Sequence, residues 1–285
     1  MTISRVGVVG CGLMGGGIAQ VVAQAGFPTT VVEANQGLLD RGLGAIRRNL
    51  DGLTDKGRLD ARDRDAAWVR LRGTVRLEDF QDVDLVIEAI TENVGLKKET
   101  FARLDQICPP HALLASNTSS CTVTELAAAT KRPAQVLGLH FFNPAPVMKL
   151  VEVVRTILTG DETVKIAWGF VQALGKTPVA AKDTTGFIVN RLLVPYLLEA
   201  VRLLEAGVAS KEDIDQAMKL GCGYPMGPFT LLDLVGLDTT LFVAEVMFEE
   251  FRESRFAPPT LLRRMVLAGH LGRKSGKGFY DYPAK

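Results

Sequence analysis

His140 and Glu152 are a base and an acid twelve residues apart, at the two ends of the stretch HFFNPAPVMKLVE. Histidine is the side chain that changes charge near neutrality. A carboxylate on one ring nitrogen fixes its tautomer and stabilises the imidazolium, which makes such a pair a general base. The flanking runs VLGL (136–139) and LVEVV (150–154) read as strands. If those strands pair, Glu152 returns alongside His140. A lone strand-end histidine is otherwise a satisfied core side chain, so the residues upstream decide between the two readings.

Upstream stands a constellation suited to a dinucleotide. Gly10, Gly12 and Gly15 spell G-x-G-x-x-G, after the β-branched run ISRVGVV (3–9) and before a run of helical period that Leu13 and Met14 open. A second strand, TTVVE, ends on Glu33, 23 residues after Gly10. The glycine pattern alone fits any tight turn; between a strand and a helix, with an acid at that distance, it reads as a nucleotide fingerprint. Glycines let the backbone approach a pyrophosphate, which then faces a helix N-terminus. Glu33 would accept from ribose hydroxyls and repel a 2′-phosphate, so NAD is expected rather than NADP.

These groups need elements to hold them. DLVIEAI (84–90) reads as a buried parallel strand, a helix follows from about 96 to 107, and ALLAS (112–116) is a further strand. Strands alternating with helices predict an α/β, Rossmann-type, doubly wound and mainly parallel sheet, which binds ligands at the carboxyl ends of its strands. Two polar clusters fall at such ends: Glu92 with Lys97, and Asn117, Thr118, Ser119 and Ser120. The second could simply cap the helix that VTELAAA begins, through Thr122 or Thr124; four polar residues in a row exceed what capping needs, and a ligand-facing role is expected.

After TPVAAKD the strand signals stop. Residues 186–207 read as a long apolar helix with a kink at Pro195. SKEDIDQAMKLG (210–221) opens on a loose capping box, Ser210 and Asp213, and further helices are expected near 227–236, 238–254 and 258–268. The chain thus reads as an NAD-binding domain over 1–183 and an all-α domain over 184–285. The helical part is rich enough in Leu, Val, Ile and Phe to cover a partner, and a homodimer through it is expected.

Composition excludes several classes. With 285 residues, 47% hydrophobic, 23% charged and a net charge of +1, the chain is globular and gives no global reason to bind nucleic acid or an anionic membrane. No apolar run approaches the roughly 18 residues that span a bilayer. The first strand begins too early for a signal or transit peptide, so a cytoplasmic location is expected. Cys11, Cys108, Cys121 and Cys222 are widely spaced, which suits a reducing compartment and argues against a disulfide frame or a metal site. From Arg41 to Arg76, ten Lys or Arg face five Asp, a local charge of +5. That segment is either a solvated surface or a dock for an anionic substrate.

The blocks VGVVGCGLMGGGIAQ, IEAITEN, ASNTSS, HFFNPAPVMKLVEVV, KDTTGFIVNRLLVPYL, GYPMGPFTLLDLVGLDTT and GRKSGKGFYDY cover nearly the whole chain. Together they resemble the L-3-hydroxyacyl-CoA dehydrogenases, in the single-function, two-domain form that includes 3-hydroxybutyryl-CoA dehydrogenases. The resemblance implies reversible, NAD-dependent oxidation of an L-3-hydroxyacyl-CoA to a 3-ketoacyl-CoA. It implies His140 as the base on the C3 hydroxyl, Glu152 as its orienting partner, and Ser119 and Asn190 on the substrate's C3 oxygen and thioester region. It places Glu33, Glu92, Lys97, Asn117 and Lys274 against NAD, and Lys56 against CoA, which favours the docking reading of the basic segment. Two positions depart from the family: Glu33 replaces a frequent Asp, and Asn49 stands where some relatives place a CoA-contacting Ser. Rival readings are a dehydrogenase of non-CoA hydroxy acids or sugar acids on the same scaffold, and a non-catalytic NAD-binding protein.

Overall fold

A computed structural model describes residues 2–283. The chain divides into two compact units, residues 1–184 and 185–285.

The first unit alternates β1 (Val6–Val9), α1 (Leu13–Gln24), β2 (Thr29–Val32), α2 (Gln36–Asp55), α3 (Ala61–Val69), β3 (Leu71–Thr74), β4 (Leu85–Glu88), α4 (Val94–Ile107), β5 (Leu113–Ser116), α5 (Val123–Ala128), β6 (Val136–Phe141), β7 (Leu150–Arg155), α6 (Asp161–Ala173) and β8 (Thr177–Lys182). One eight-stranded sheet runs in the order β3-β2-β1-β4-β5-β6-β7-β8. Every neighbour pair is parallel except β6 and β7, which form an antiparallel hairpin. The strand order reverses at β1 and β4, the switch point where such sheets bind ligands.

The central strands are buried from end to end, so their sequences carry continuous apolar runs instead of alternation. Val8, Ile18, Leu85, Ile87, Leu137 and Leu139 belong to the core cluster between sheet and helices. β3 has no counterpart among the expected strands. It is four residues long, LRGT, only half-buried, and pairs with β2 from Thr29↔Leu71 to Val32↔Thr74. Its arginine and glycine hide the strand in sequence, and the neighbouring β2 supplies the reason it forms.

The second unit is helical: α7 (Val189–Glu205), α8 (Lys211–Cys222), α9 (Pro228–Val235), α10 (Leu237–Phe251) and α11 (Thr260–Leu267). α7 runs through Pro195 without ending there. Leu197, Leu198, Val201, Phe229, Leu232 and Met247 form its core. At the start of α8 the Asp213 backbone N–H donates to Ser210 Oγ at 3.1 Å, while Ser210 Oγ–H donates to the Asp213 carboxylate at 2.6 Å. The cap is therefore one-sided: the carboxylate holds the hydroxyl. Among the described residues no helix is long and apolar enough to cross a membrane, and no group of side chains is arranged to hold a metal ion.

Candidate active site

The glycine turn closes between β1 and α1 by backbone contact alone. Gly10 adopts φ +95°, and a Cβ there would lie 2.7 Å from the carbonyl oxygen of Ala89, just beyond the neighbouring parallel strand β4. A Cβ on Gly15 would lie 2.0 Å from the Gly10 carbonyl oxygen. Gly12, by contrast, has open space, and it caps α1 with no side chain on the helix amides. Leu13 is largely exposed beside it. Unsatisfied N–H groups and open space at a helix N-terminus suit a pyrophosphate. Glu33, just beyond β2, accepts from the Cys11 N–H at 2.8 Å and the Ala34 N–H at 2.7 Å, which holds its carboxylate over the turn. The residues present therefore fit a dinucleotide.

A buried network of charges occupies the ends of β4 and β5. Lys97 Nζ, almost fully buried in α4, donates to Glu88 Oε1 at 2.7 Å and lies 3.2 Å from Glu92 Oε2. Glu88 also accepts from Ser116 Oγ at 2.7 Å, because the β4–β5 register places these two residues opposite each other. Glu92 collects the Ser119 N–H at 2.8 Å, the Ser119 hydroxyl at 3.2 Å and the Thr118 hydroxyl at 2.9 Å. Burial pushes the Glu92 carboxyl up, but Lys97 and these donors outweigh it and hold it below the usual carboxylate range. Burial likewise pulls the Lys97 ammonium down, and the two carboxylates more than reverse that. Both shifts favour the charged forms of Glu92 and Lys97.

His140 and Glu152 face each other across the β6–β7 hairpin as a register pair. His140 Nδ1 stands 2.6 Å from Glu152 Oε2, with the ring nearly buried and the carboxylate fully so. Donation from Nδ1–H to the carboxylate makes Nε2 the basic nitrogen. Asn117 is tied into the same region: its Oδ1 accepts from the Phe141 N–H at 2.9 Å, one residue beyond the histidine. Thus Asn117, Ser119, Glu92, His140 and the glycine turn lie at or just beyond carboxyl ends of strands in one sheet, with Lys97 reaching in from α4 and Glu152 from the antiparallel β7.

A cleft of about 700 Å³ opens between α1, α2 and the loop that joins β6 to β7. That volume is within the usual range for a ligand pocket. Arg41, Arg48, Lys56 and Arg58 line it with Asn49, and Gly12, Leu13 and Glu33 of the nucleotide turn line it too. The basic segment is thus an element of a cavity wall. His140 is not part of that wall, so the cleft and the base occupy separate places in the same unit.

Two of the expected residues belong to the helical unit. Asn190 lies in the first turn of α7. Lys274 is exposed in a short 3₁₀ turn and donates to Asp238 Oδ2 at 2.6 Å.

Sequence reasoning passed over two acids. Glu88 sits inside the apolar run DLVIEAI and reads as part of a core strand; its following glutamate–lysine pattern was the available signal. Asp183 caps α5 from 60 residues away, accepting from the Val123 N–H at 3.0 Å and the Thr124 N–H at 2.6 Å. Of the two local candidates, Thr122 makes no side-chain cap, and the Thr124 hydroxyl donates to Asp183 at 2.6 Å. The polar run 117–120 is therefore not the cap of that helix. The thiols beside the site are not nucleophiles: burial, then Glu33, pushes Cys11 up to about 11, and burial, then Glu92, does the same to Cys121.

A doubly wound sheet with a glycine turn, a strand-end acid and a buried histidine–carboxylate pair defines an NAD-dependent dehydrogenase. Residues 5–184 match the model of the 3-hydroxyacyl-CoA dehydrogenase NAD-binding domain, and residues 186–282 match that of the family's C-terminal domain. The chain is 51% identical over 282 residues to a 3-hydroxybutyryl-CoA dehydrogenase of Mycobacterium tuberculosis, covering 98% of this chain and 99% of that one. It is 47% identical to the human mitochondrial hydroxyacyl-coenzyme A dehydrogenase, covering 98% and 91%. A solved (S)-3-hydroxybutyryl-CoA dehydrogenase from Ralstonia eutropha superposes with a TM-score of 0.95 at 43% identity, covering 99% and 100%. The chain belongs to the 3-hydroxyacyl-CoA dehydrogenase family, and it is an oxidoreductase that uses NAD.

Proposed function

We propose that this enzyme interconverts an L-3-hydroxyacyl-CoA and the corresponding 3-ketoacyl-CoA, with His140 as general base. The observation that carries this is the buried 2.6 Å bond from His140 Nδ1 to Glu152 Oε2. It supports a reading in which Nε2 takes the proton of the substrate's C3 hydroxyl and Glu152 gives the imidazolium a counter-charge as the C3–H bond breaks. NAD, when bound, supplies the acceptor for the departing hydride. Ser119 and Asn190 hold the substrate's C3 oxygen and thioester region. Gly10, Gly12, Leu13, Met14 and Gly15 form the pyrophosphate turn, with Glu33 on the ribose and Glu92, Lys97, Asn117 and Lys274 as further NAD contacts. The four cations of the cleft favour a substrate with an anionic handle, and Lys56 and Asn49 take its CoA part there.

The first unit serves as the NAD-binding domain, and the helical unit serves substrate binding and homodimer formation. Leu192 and Leu220, 71% and 75% exposed, and Phe242, 43% exposed, support the dimer as apolar side chains that a second copy would cover. Four unpaired cysteines accord with a reducing, cytoplasmic setting.

The test is NADH consumption with acetoacetyl-CoA, run beside NADPH and beside free acetoacetate. Turnover only with NADH and the CoA ester supports the reading. Equal turnover of the free acid moves the function to a non-CoA hydroxy-acid dehydrogenase, and NADH binding without turnover removes the catalytic reading. Glu152→Gln is expected to forfeit much of the roughly 10²–10⁴-fold that a positioned base contributes; unchanged turnover would remove its orienting role. Sedimentation of the purified enzyme tests the dimer.

A further inference from the structure

Lys176, between α6 and β8, is a buried ammonium, 9% exposed, that the chemistry above does not use. Its Nζ donates to the carbonyl oxygen of Ala145 at 2.7 Å and to that of Met148 at 2.6 Å. No carboxylate pairs with it among the described residues, and burial alone pulls its ammonium below the ordinary lysine range. A buried charge without a counter-ion is costly, and short charge-assisted bonds to two carbonyls are what offsets that cost here.

Both carbonyls lie in the loop 142–149, which joins β6 to β7. Among the described residues its other ties include the Val147 and Met148 N–H groups, which both donate to the Pro144 carbonyl at 2.9 and 3.0 Å, the Thr177 N–H, which donates to Lys149 O at 2.8 Å, and the Phe142 ring, which packs on His140 with centroids 4.5 Å apart. Its opposite face, from Asn143 to Val147, forms a wall of the cationic cleft. It presses on α1 closely enough that a Cβ on Gly17 would stand 3.2 Å from Ala145 Cβ and 3.3 Å from Pro146 Cδ. The loop is therefore seated between α1 on one side and a single ammonium on the other.

We propose that Lys176 is a positioning residue for acyl-CoA recognition: its two bonds hold the 142–149 loop in the shape that completes the cleft. The inference rests on the reading that this cleft takes the CoA part of the substrate. The catalytic pair meets the start of the loop at Phe142, whose ring centroid lies 4.5 Å from that of His140, but its main ties lie in the sheet. His140 and Glu152 are clamped by the strand ladder, with Phe141↔Val151 as the next pair, and by the Asn117–Phe141 bond. Loss of Lys176 should therefore be felt in binding of the CoA ester and hardly in the chemical step.

The experiment measures kcat and KM for acetoacetyl-CoA and for acetoacetyl-N-acetylcysteamine, a thioester without the nucleotide, in the full-length enzyme and in Lys176→Met, Lys176→Gln and Lys56→Ala. NADH binding is followed by fluorescence. Met keeps the stem and most of the volume. Loss of a charge-assisted bond should raise KM for the CoA ester about tenfold or more in Lys176→Met and reduce the preference over the truncated ester by a similar factor. The same variant should hold kcat within about twofold, with NADH affinity read separately because Gly12, Leu13 and Glu33 line the same cleft. Lys176→Gln, which retains an uncharged donor, should fall between, and it provides the reading should the Met variant not fold. A lowered preference in Lys56→Ala but an unchanged one in the Lys176 variant overturns the role of Lys176 alone. An unchanged preference in Lys56→Ala overturns the cleft reading and this inference with it. Equal loss of kcat on both esters would also overturn it, since that is the mark of a general structural role.

Discussion

Both units bury carboxylates, but they surround them differently. In the first unit Glu152 meets a histidine, and Glu88 and Glu92 meet a lysine. In the helical unit Asp215 accepts from the Phe229 and Thr230 N–H groups at 2.7 and 3.0 Å and from the Tyr280 hydroxyl at 3.1 Å. Asp233 accepts from the Phe279 and Tyr280 N–H groups at 2.8 and 2.9 Å and from the Tyr282 hydroxyl at 3.0 Å. A backbone amide has one protonation state, and burial, followed by the nearby acid, pushes both tyrosine hydroxyls further from ionising. Such an acid can only pin the chain, and here two of them pin the C-terminal segment onto α8 and α9. An acid bonded to a histidine or a lysine can instead share or stabilise a charge that changes.

The contrast predicts which substitutions will be felt in activity and which in stability. His140→Ala should lower turnover about 10²–10⁴-fold while NADH binding persists. A loss below tenfold in stopped-flow single turnovers would erase the distinction between the two sets of acids. Next in size, Lys97→Met leaves the buried Glu88 and the partly buried Glu92 without their shared cation and should cost about 3–5 kcal/mol in urea unfolding. A cost under about 1 kcal/mol would mean that the cluster relaxes into solvent.

Asp233→Ala strands two buried amides and should cost about 1–3 kcal/mol, with kcat of the folded protein unchanged. A fall in kcat at constant folded fraction would instead give Asp233 a part in the chemistry. The smallest effect should be the acid limb of stability. Glu92 titrates below its unfolded value, so its contribution is complete above roughly pH 4.3 and is lost as pH falls through the lower folded value. Thermal melts from pH 6 to pH 3 should show a steeper acid loss in the native chain than in Glu92→Gln. Parallel curves would remove Glu92 from the coupled cluster.

Much of the site could be read locally. Part of the glycine turn is dictated locally, since a Cβ on Gly15 would strike the Gly10 carbonyl, while Gly10 answers to the distant Ala89. Strand–helix alternation is set by apolar period, and it predicts the parallel sheet that forms. The twelve-residue separation of His140 and Glu152 fits a hairpin once both flanking runs read as strands. β3 was not legible, because a short edge strand with arginine and glycine is decided by its neighbour.

What the sequence by itself determined is therefore the class of sheet, the nucleotide turn and the residues able to act as base and orienter. Each of these follows from periodicity or steric demand over a short span. The partners of buried charges were decided only by the tertiary structure. Glu88 meets Ser116 because β5 is the neighbour of β4, Asp183 reaches α5 across 60 residues, and Lys176 finds two carbonyls in a distant loop. A buried charge persists only where the surroundings answer it, and strand order and register select those surroundings.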